Sequence, residues 1–154
     1  MATITFEAET LTTYQQDIVA WAQEQSRLIR AGRFDLLDLE HIADEIDDVG
    51  KSEARELESR MAVLIGHLLK YQYQPERRST SWALTIREQR KRILLRLNRT
   101  PSLKAFFIEE ERFDDAYLDG RLLAEKEIGM DDFPVTCPWS IDEILALDWL
   151  PEDK

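Results

Sequence analysis

The chain has 154 residues, 44% of them hydrophobic, with five glycines and five prolines, a composition typical of one folded domain and not of a disordered chain. Its 31 acidic and 20 basic residues give a net charge of −11, which argues against a surface built for nucleic acid or anionic membranes. No stretch approaches the roughly 20 apolar residues that span a bilayer, and the N-terminus lacks the features of a signal peptide. We therefore expect an acidic cytoplasmic protein with no membrane association.

Helical periodicity runs through almost the whole chain, whereas the alternation typical of strands is nearly absent. After an N-terminal arm of residues 1–12, Thr13 and Gln16 form a capping-box pattern that predicts the start of a first helix. Gly32 is expected to end that helix, since glycine readily takes the left-handed conformation found just after a helix.

Two further helices are expected before the first internal proline. Asp35 is the predicted cap of the second helix, which would end at Gly50, and the third would run from Ser52 to about Gln74, where Pro75 stops it. The apolar face of the second helix consists of Leu39, Ile42, Ala43, Ile46 and Val49.

The remaining helices follow the same logic. A fourth is predicted over Trp82–Asn98, and Pro101 restarts the chain into a fifth that runs to about Ile128 with a break near Phe107. Ser140 and Glu143 predict a last, short, capped helix. Short connections between amphipathic helices favour antiparallel neighbours. The sequence therefore predicts an all-α, single-domain antiparallel bundle of about five to six helices over residues 13–151.

The charge is unevenly distributed along the chain. Residues 75–99 contain eight basic and two acidic residues, a net of +6, which leaves −17 on the rest of a chain whose total is −11. We expect the acidic second and fifth helices to neutralise this basic segment. The alternative is a phosphate-binding face at Arg92, Arg96 and Arg99, although the acidity of the whole chain disfavours nucleic acid as its ligand.

Arg90 differs from the other basic residues because it falls within the apolar stripe of the fourth helix, formed by Trp82, Ile86, Ile93 and Leu97. A guanidinium there stays charged and needs carboxylates or carbonyls as partners. Our hypothesis is a buried or half-buried ionic network that joins Arg90 to an acidic residue of another helix.

Metal-ligating residues are few. Glu45 and His67 are the only weak candidates for a metal site, and no glutamate precedes either histidine at the Glu-x-x-His spacing used in helical bundles. We expect His67 to be a hydrogen-bonded residue at the core edge and His41 to lie on a solvated face. The single cysteine, Cys137, is expected to be structural, and no cofactor is implied.

One stretch of sequence resembles a known family. The run HLLKYQYQPERRSTSW, with LEHIADEIDDVGKSEARELESR before it and FPVTCPWSIDEILALDWLP after it, is similar to bacterial domain-of-unknown-function family twenty-nine over Tyr14–Pro151. In that family Tyr71 is more often Trp and His41 more often Asn, which weakens a metal role for His41. The resemblance implies a small all-α protein without an assigned activity.

The matched run concentrates polar and aromatic side chains at a predicted helix–helix junction, here called the polar corner: Gln72, Gln74, Glu76, Arg77, Arg78, Ser79 and Trp82. Arg87 and Arg90 of the next helix extend this set. Such side chains can lock the turn through backbone carbonyls, or they can recognise a ligand or partner. The sequence contains no catalytic triad order and no glycine-rich phosphate loop, so no catalytic residue is assigned.

We therefore expect a helical-bundle protein that acts by binding another protein, as a regulatory or antitoxin-like module. An acidic surface suits a basic partner, and Trp139 and Trp149 are predicted to be exposed near the C-terminus. A homodimer is compatible with the sequence. The alternatives are a metal- or phosphate-handling enzyme that uses Glu45, His67, Arg77 and Arg78, and a nucleic-acid binder that uses the basic fourth helix.

Overall fold

The computed structural model describes residues 11–107 and 109–154, and all regular structure in these residues is helical. The α-helices are α1 (Ile18–Arg30), α2 (Leu39–Tyr73), α3 (Thr80–Arg99), α4 (Glu110–Ile128) and α5 (Ile141–Leu145), and 3₁₀ segments cover Phe34–Leu36, Pro75–Arg77 and Pro101–Phe107. The predicted all-α fold is confirmed.

Contacts divide the chain into a first unit, residues 1–50, and a second unit, residues 51–154. Of the expected arm, residues 1–10 lie outside the described residues.

In the first unit, α1 begins later than the sequence indicated. The Asp17 carboxylate accepts hydrogen bonds from the backbone N–H groups of Val19 and Ala20, both at 3.0 Å, and so caps the helix. Gln16 accepts from the Thr13 N–H at 3.1 Å, which is half of the predicted capping box, but this pair lies in the turn before the helix. The expected end of the helix is confirmed by Gly32, whose φ is +70°.

The prediction of separate second and third helices was wrong, because α2 continues unbroken for 35 residues through Gly50. Glycine costs about 1 kcal/mol in a helix but keeps its N–H donor, so it weakens a helix without breaking it. The N-terminal cap also moves from Asp35 to Asp38, which accepts from the His41 N–H at 3.4 Å. Asp35 instead pairs with Arg33 in the 3₁₀ turn.

In the second unit, α2 and α3 run in opposite directions. Arg96, near the end of α3, pairs with Glu53, and the Lys70 ammonium lies 4.8 Å from the Trp82 ring centroid at the start of α3. The core between the helices is built from Leu57, Met61, Leu64, Ile65 and Leu68 of α2, Ile86, Ile93 and Leu97 of α3, and Ala116, Tyr117 and Ala124 of α4. Pro75 ends α2 as predicted, and the Ser79 hydroxyl caps α3.

The helices α2 and α4 approach so closely at their crossing that a side chain at Gly120 would collide with α2. A Cβ atom at Gly120 would lie 2.7 Å from the Ala62 carbonyl oxygen and 2.9 Å from the Ile65 side chain, and one at Gly66 would lie 3.0 Å from the Gly120 carbonyl oxygen. Farther along both helices, Lys70 pairs with Glu127, so α4 runs in the same direction as α2. The successive helices α2, α3 and α4 are therefore antiparallel.

The chain after α4 returns to the core through an irregular segment. Gly129, with a φ of +70°, ends α4 as predicted, and the Tyr117 hydroxyl donates to the Pro134 carbonyl at 2.6 Å. Burial raises the pKa of Tyr117 to about 12. The predicted capping box of Ser140 and Glu143 is confirmed at the start of α5.

None of the described helices carries an apolar stretch that could cross a membrane.

Replacing Gly120 by alanine will destabilise the second unit by about 2 kcal/mol, because the added methyl group meets backbone and forces α4 away from α2. The matched control is Gly50→Ala, since a Cβ at Gly50 meets nothing within 4 Å and the residue is helical. That variant will be stabilised by about 0.5–1 kcal/mol. Urea unfolding measures both, and equal stability of the two variants would contradict a close crossing.

Candidate functional site

At the polar corner, Arg78 makes three contacts that join the end of α2 to the C-terminal segment. Its Nε donates to the Tyr71 carbonyl at 2.8 Å, and its guanidinium carbon lies 3.8 Å from the Tyr71 ring centroid. The same guanidinium pairs with Asp153. Arg78 therefore fixes the turn after α2 and holds the acidic tail against it.

Two amides of the corner also bind distant chain segments. Gln72 is buried, and its side-chain amide donates to the backbone carbonyl of Glu152 at 2.9 Å. Its backbone carbonyl accepts a hydrogen bond from the N–H of Lys154 at 3.0 Å. Gln74 donates to the Met130 sulfur at 3.0 Å. In the described part of the chain, the side-chain oxygen of Gln72 is buried without a partner. These contacts are internal, and together with Arg78 they tie residues 152–154 to the corner.

The other corner residues differ in exposure. Glu76 and Arg77 are exposed, and neither forms an ion pair with a described residue. Trp82 is half-buried under the ammonium of Lys70, which is itself buried and paired with Glu127.

Sequence reasoning missed Lys70. Its position in the series Ala62, Gly66, Lys70, each four residues apart, is the signal that it lies on the α4 side of α2.

Arg90 is only 1% exposed, which agrees with its place in the apolar stripe. The expected carboxylate partner is not found among the described residues. Instead Nε donates to the Ile144 carbonyl at 2.7 Å and Nη1 to the Leu147 carbonyl at 3.4 Å, so the guanidinium binds carbonyls at and beyond the end of α5. Burial lowers the pKa of Arg90, and the nearby charge of Asp148 opposes this shift. The second terminal nitrogen, Nη2, has no partner in the described structure.

The basic residues of α3 are partly neutralised, but not by the helices that the sequence suggested. Arg96 pairs with Glu53 and Glu56 near the middle of α2, and Arg92 pairs with Glu88 one turn earlier in α3. Arg99 has no ion pair with a described residue. A phosphate-binding face would need Arg92, Arg96 and Arg99 all unpaired, and two of them are paired. Beside them lies a cleft of about 280 Å³ lined by Glu53, Arg60, Arg92, Leu95, Arg96, Arg99 and Thr100.

A second surface lies on the solvent side of α3, here called the α3 face: Leu84, Arg87, Glu88, Lys91, Arg92 and Leu95. It is an open and shallow surface. Leu84 and Leu95 are 55% and 49% exposed, and Arg87 and Lys91 form no ion pair within the described residues. The α3 face therefore combines exposed apolar side chains with free positive charge.

In the first unit, the prediction of a solvated His41 was wrong. Its ring stacks on Tyr14, with centroids 4.3 Å apart, and its Nδ1 donates to Asp38 at 2.8 Å. Nε2 then accepts from the Gln15 amide at 3.3 Å, so both ring nitrogens are occupied. Burial raises the pKa of the Asp38 carboxyl, but the hydrogen bonds that it accepts from His41 and Trp21 lower this pKa by more. The pKa of Asp38 is therefore below its usual value.

The weak metal candidates each have another partner. The Tyr14 hydroxyl donates to Glu45 at 2.6 Å in the first unit, and in the second unit His67 donates from Nδ1 to the Val63 carbonyl at 2.9 Å. Burial lowers the pKa of His67, which favours its neutral form. Among the described residues, no group of three or more histidine, cysteine or acidic side chains is placed to hold a metal ion.

The apolar face predicted for the second helix is exposed in the structure. Leu39, Ile46 and Val49 are 67%, 66% and 67% exposed, and they follow one another along α2 with the half-buried Ile42 between them. Glu40 and Asp47, seven residues apart, border this line on one side. We call these six residues the acidic stripe.

The tryptophans expected to be exposed are half-buried instead. Trp139 and Trp149 pack against the core of the second unit, with their rings edge to face at 5.7 Å between centroids. Cys137 is half-buried too, and burial raises the pKa of its thiol. Its sulfur donates to the Trp139 carbonyl at 3.5 Å, as suits a structural cysteine.

Arg78→Gln will lower the free energy of unfolding by about 1–2 kcal/mol, because it removes a charged hydrogen bond and the stacking on Tyr71. It will also speed amide exchange at Lys154, whose N–H binds the Gln72 carbonyl. The neighbouring Arg77→Gln is the matched control and will change stability by less than about 0.5 kcal/mol. Urea unfolding with amide exchange by NMR measures both effects, and equal behaviour of the two variants would disprove the role of Arg78.

The acidic stripe and the α3 face are thus two exposed helix faces of opposite charge. Comparison with known proteins places the chain in a family. The family model described as Domain of unknown function DUF29 matches residues 13–150, which include the acidic stripe, the polar corner and α3. No curated protein and no solved structure matches the chain. The match agrees with the range over which the sequence resembled this family. The chain belongs to the DUF29 family.

Proposed function

We propose that this protein acts by binding another protein, and that the acidic stripe of the first unit is the binding surface. The observation that carries the proposal is the line of exposed aliphatic side chains at Leu39, Ile46 and Val49, each about two thirds in contact with solvent. An amphipathic helix face of this kind is a common docking surface for a helix of a partner.

The stripe belongs to a helix that is held in place on its other side. Trp21 donates to Asp38 at 3.0 Å, and the Tyr14 ring is edge to face with Trp21 at 5.0 Å between centroids. The Asp38 N–H donates to the buried Gln25 side chain at 2.8 Å. Because these contacts order the start of α2 in advance, little conformational entropy remains to be lost when a partner binds.

The charge around the stripe selects the type of partner. Residues 38–49 contain six acidic residues and no basic one. Such a field accelerates the approach of a basic protein and disfavours an acidic one. The partner that fits is therefore a protein with a basic amphipathic helix, as expected for a regulatory or antitoxin-like module acting in the cytoplasm on a basic protein such as a nuclease.

A direct test uses a synthetic helical peptide of about 18 residues, with leucines along one face and lysines and arginines on the other, as the probe. Fluorescence anisotropy will show binding to the wild-type chain and about tenfold weaker binding to the Ile46→Ser/Val49→Ser variant. Both residues are exposed, so the variant will keep its fold. Val135→Ser is the matched control, because Val135 is 83% exposed and lies in the second unit.

Specificity for charge is tested with a second peptide in which glutamate replaces every basic residue. The proposal requires that this peptide bind at least about tenfold more weakly than the basic one at 0.15 M salt. Equal affinity of the wild-type chain and the Ile46→Ser/Val49→Ser variant for the basic peptide would refute the assignment of the stripe.

A further inference from the structure

The geometry points to a second copy of this chain as a partner of the acidic stripe: we propose that the stripe of one copy binds the α3 face of another. The inference rests on the proposed function, because it assigns a particular basic helix to the same stripe. It adds a second interaction surface, the α3 face, and a self-association that competes with other partners.

The two surfaces match in shape. Each is one side of a single helix with aliphatic side chains at both ends. Leu39 to Val49 spans about 15 Å, and Leu84 to Leu95 spans about 17 Å, at 1.5 Å per helical residue. The α3 face is an open, shallow surface between these leucines, against which the side chains of a second helix can pack.

The two surfaces also have opposite charge. On the α3 face Glu88 and Arg92 neutralise each other, which leaves Arg87 and Lys91 as the charges free to meet a partner. On the stripe, Glu40 and Asp47 are exposed and form no ion pair within the described residues. Contact between unlike faces therefore pairs opposite charges beside buried aliphatic side chains.

Contact between like faces is disfavoured by the same charges. Two stripes would bring acidic residues together, and two α3 faces would bring basic residues together. The favoured contact therefore joins the stripe of one copy to the α3 face of another.

The experiment compares the wild-type chain with two charge-reversed variants by analytical ultracentrifugation at about 0.15 M salt and protein concentrations of about 5–500 µM. Wild type will move from the mass of one chain towards that of two as its concentration rises. The stripe-reversed variant, Glu40→Lys/Asp47→Lys, will remain a single chain, because the two charged side chains of its stripe then repel Arg87 and Lys91. The face-reversed variant, Arg87→Glu/Lys91→Glu, will also remain a single chain, because both of its faces are acidic.

Mixing the two variants is the decisive step. In the mixture each face again meets one of opposite charge, so pairs of unlike chains will form with an affinity within about threefold of wild type. A wild-type chain that stays a monomer at every concentration, reversed variants that keep the wild-type mass, or a mixture that fails to associate would each overturn the inference. Circular dichroism of both variants checks that their helices are intact.

The same variants separate this inference from the proposed function. The face-reversed chain retains its stripe and will bind the basic peptide as wild type does, whereas the stripe-reversed chain will not. If wild type is a monomer while the stripe-reversed chain loses the peptide, only the self-association is refuted. If the stripe-reversed chain still binds the peptide as wild type does, the proposed function is refuted.

Discussion

The crossing of α2 and α4 at Gly66 and Gly120 is the constraint on which the second unit depends. Because no Cβ atom fits at Gly120, the two backbones touch, and α4 is fixed in both position and direction. That position brings Glu127 to Lys70 and lets Tyr117 hold the chain after α4 at Pro134. The returning segment then carries α5 to the buried guanidinium of α3 and the tail to the polar corner. The unit is thereby closed around its core.

Much of this fold follows from periodicity and from strong local signals. Pro75, Gly129 and the Ser140 capping box each determine a helix end through local backbone chemistry, so the sequence predicts them correctly. Gly50 was misread because a glycine permits a helix end without requiring one, and the packing of neighbouring residues decides. The capping of α1 by Asp17 instead of Thr13 reflects two competing local signals of similar strength.

The functional surfaces were less predictable, because they depend on tertiary contacts. The burial of Arg90 follows from its place in an apolar stripe, but its carbonyl partners at the end of α5 do not, since any buried acceptor would satisfy a guanidinium. The stacking of His41 on Tyr14 joins residues 27 positions apart and has no local signature. The apolar pattern of the acidic stripe was visible, yet periodicity shows only that a helix has an apolar face, and not whether the folded chain covers it.

We propose that partners bind at the acidic stripe, and two-dimensional NMR spectra of the backbone amides locate the binding directly. The spectrum is recorded on the Arg87→Glu/Lys91→Glu variant, which we expect to be a monomer, while the basic helical peptide is added. We predict that the largest changes in chemical shift fall in Leu39–Gly50, with little change in the polar corner or α5. Changes concentrated in the second unit, with Leu39–Gly50 unaffected, would contradict it.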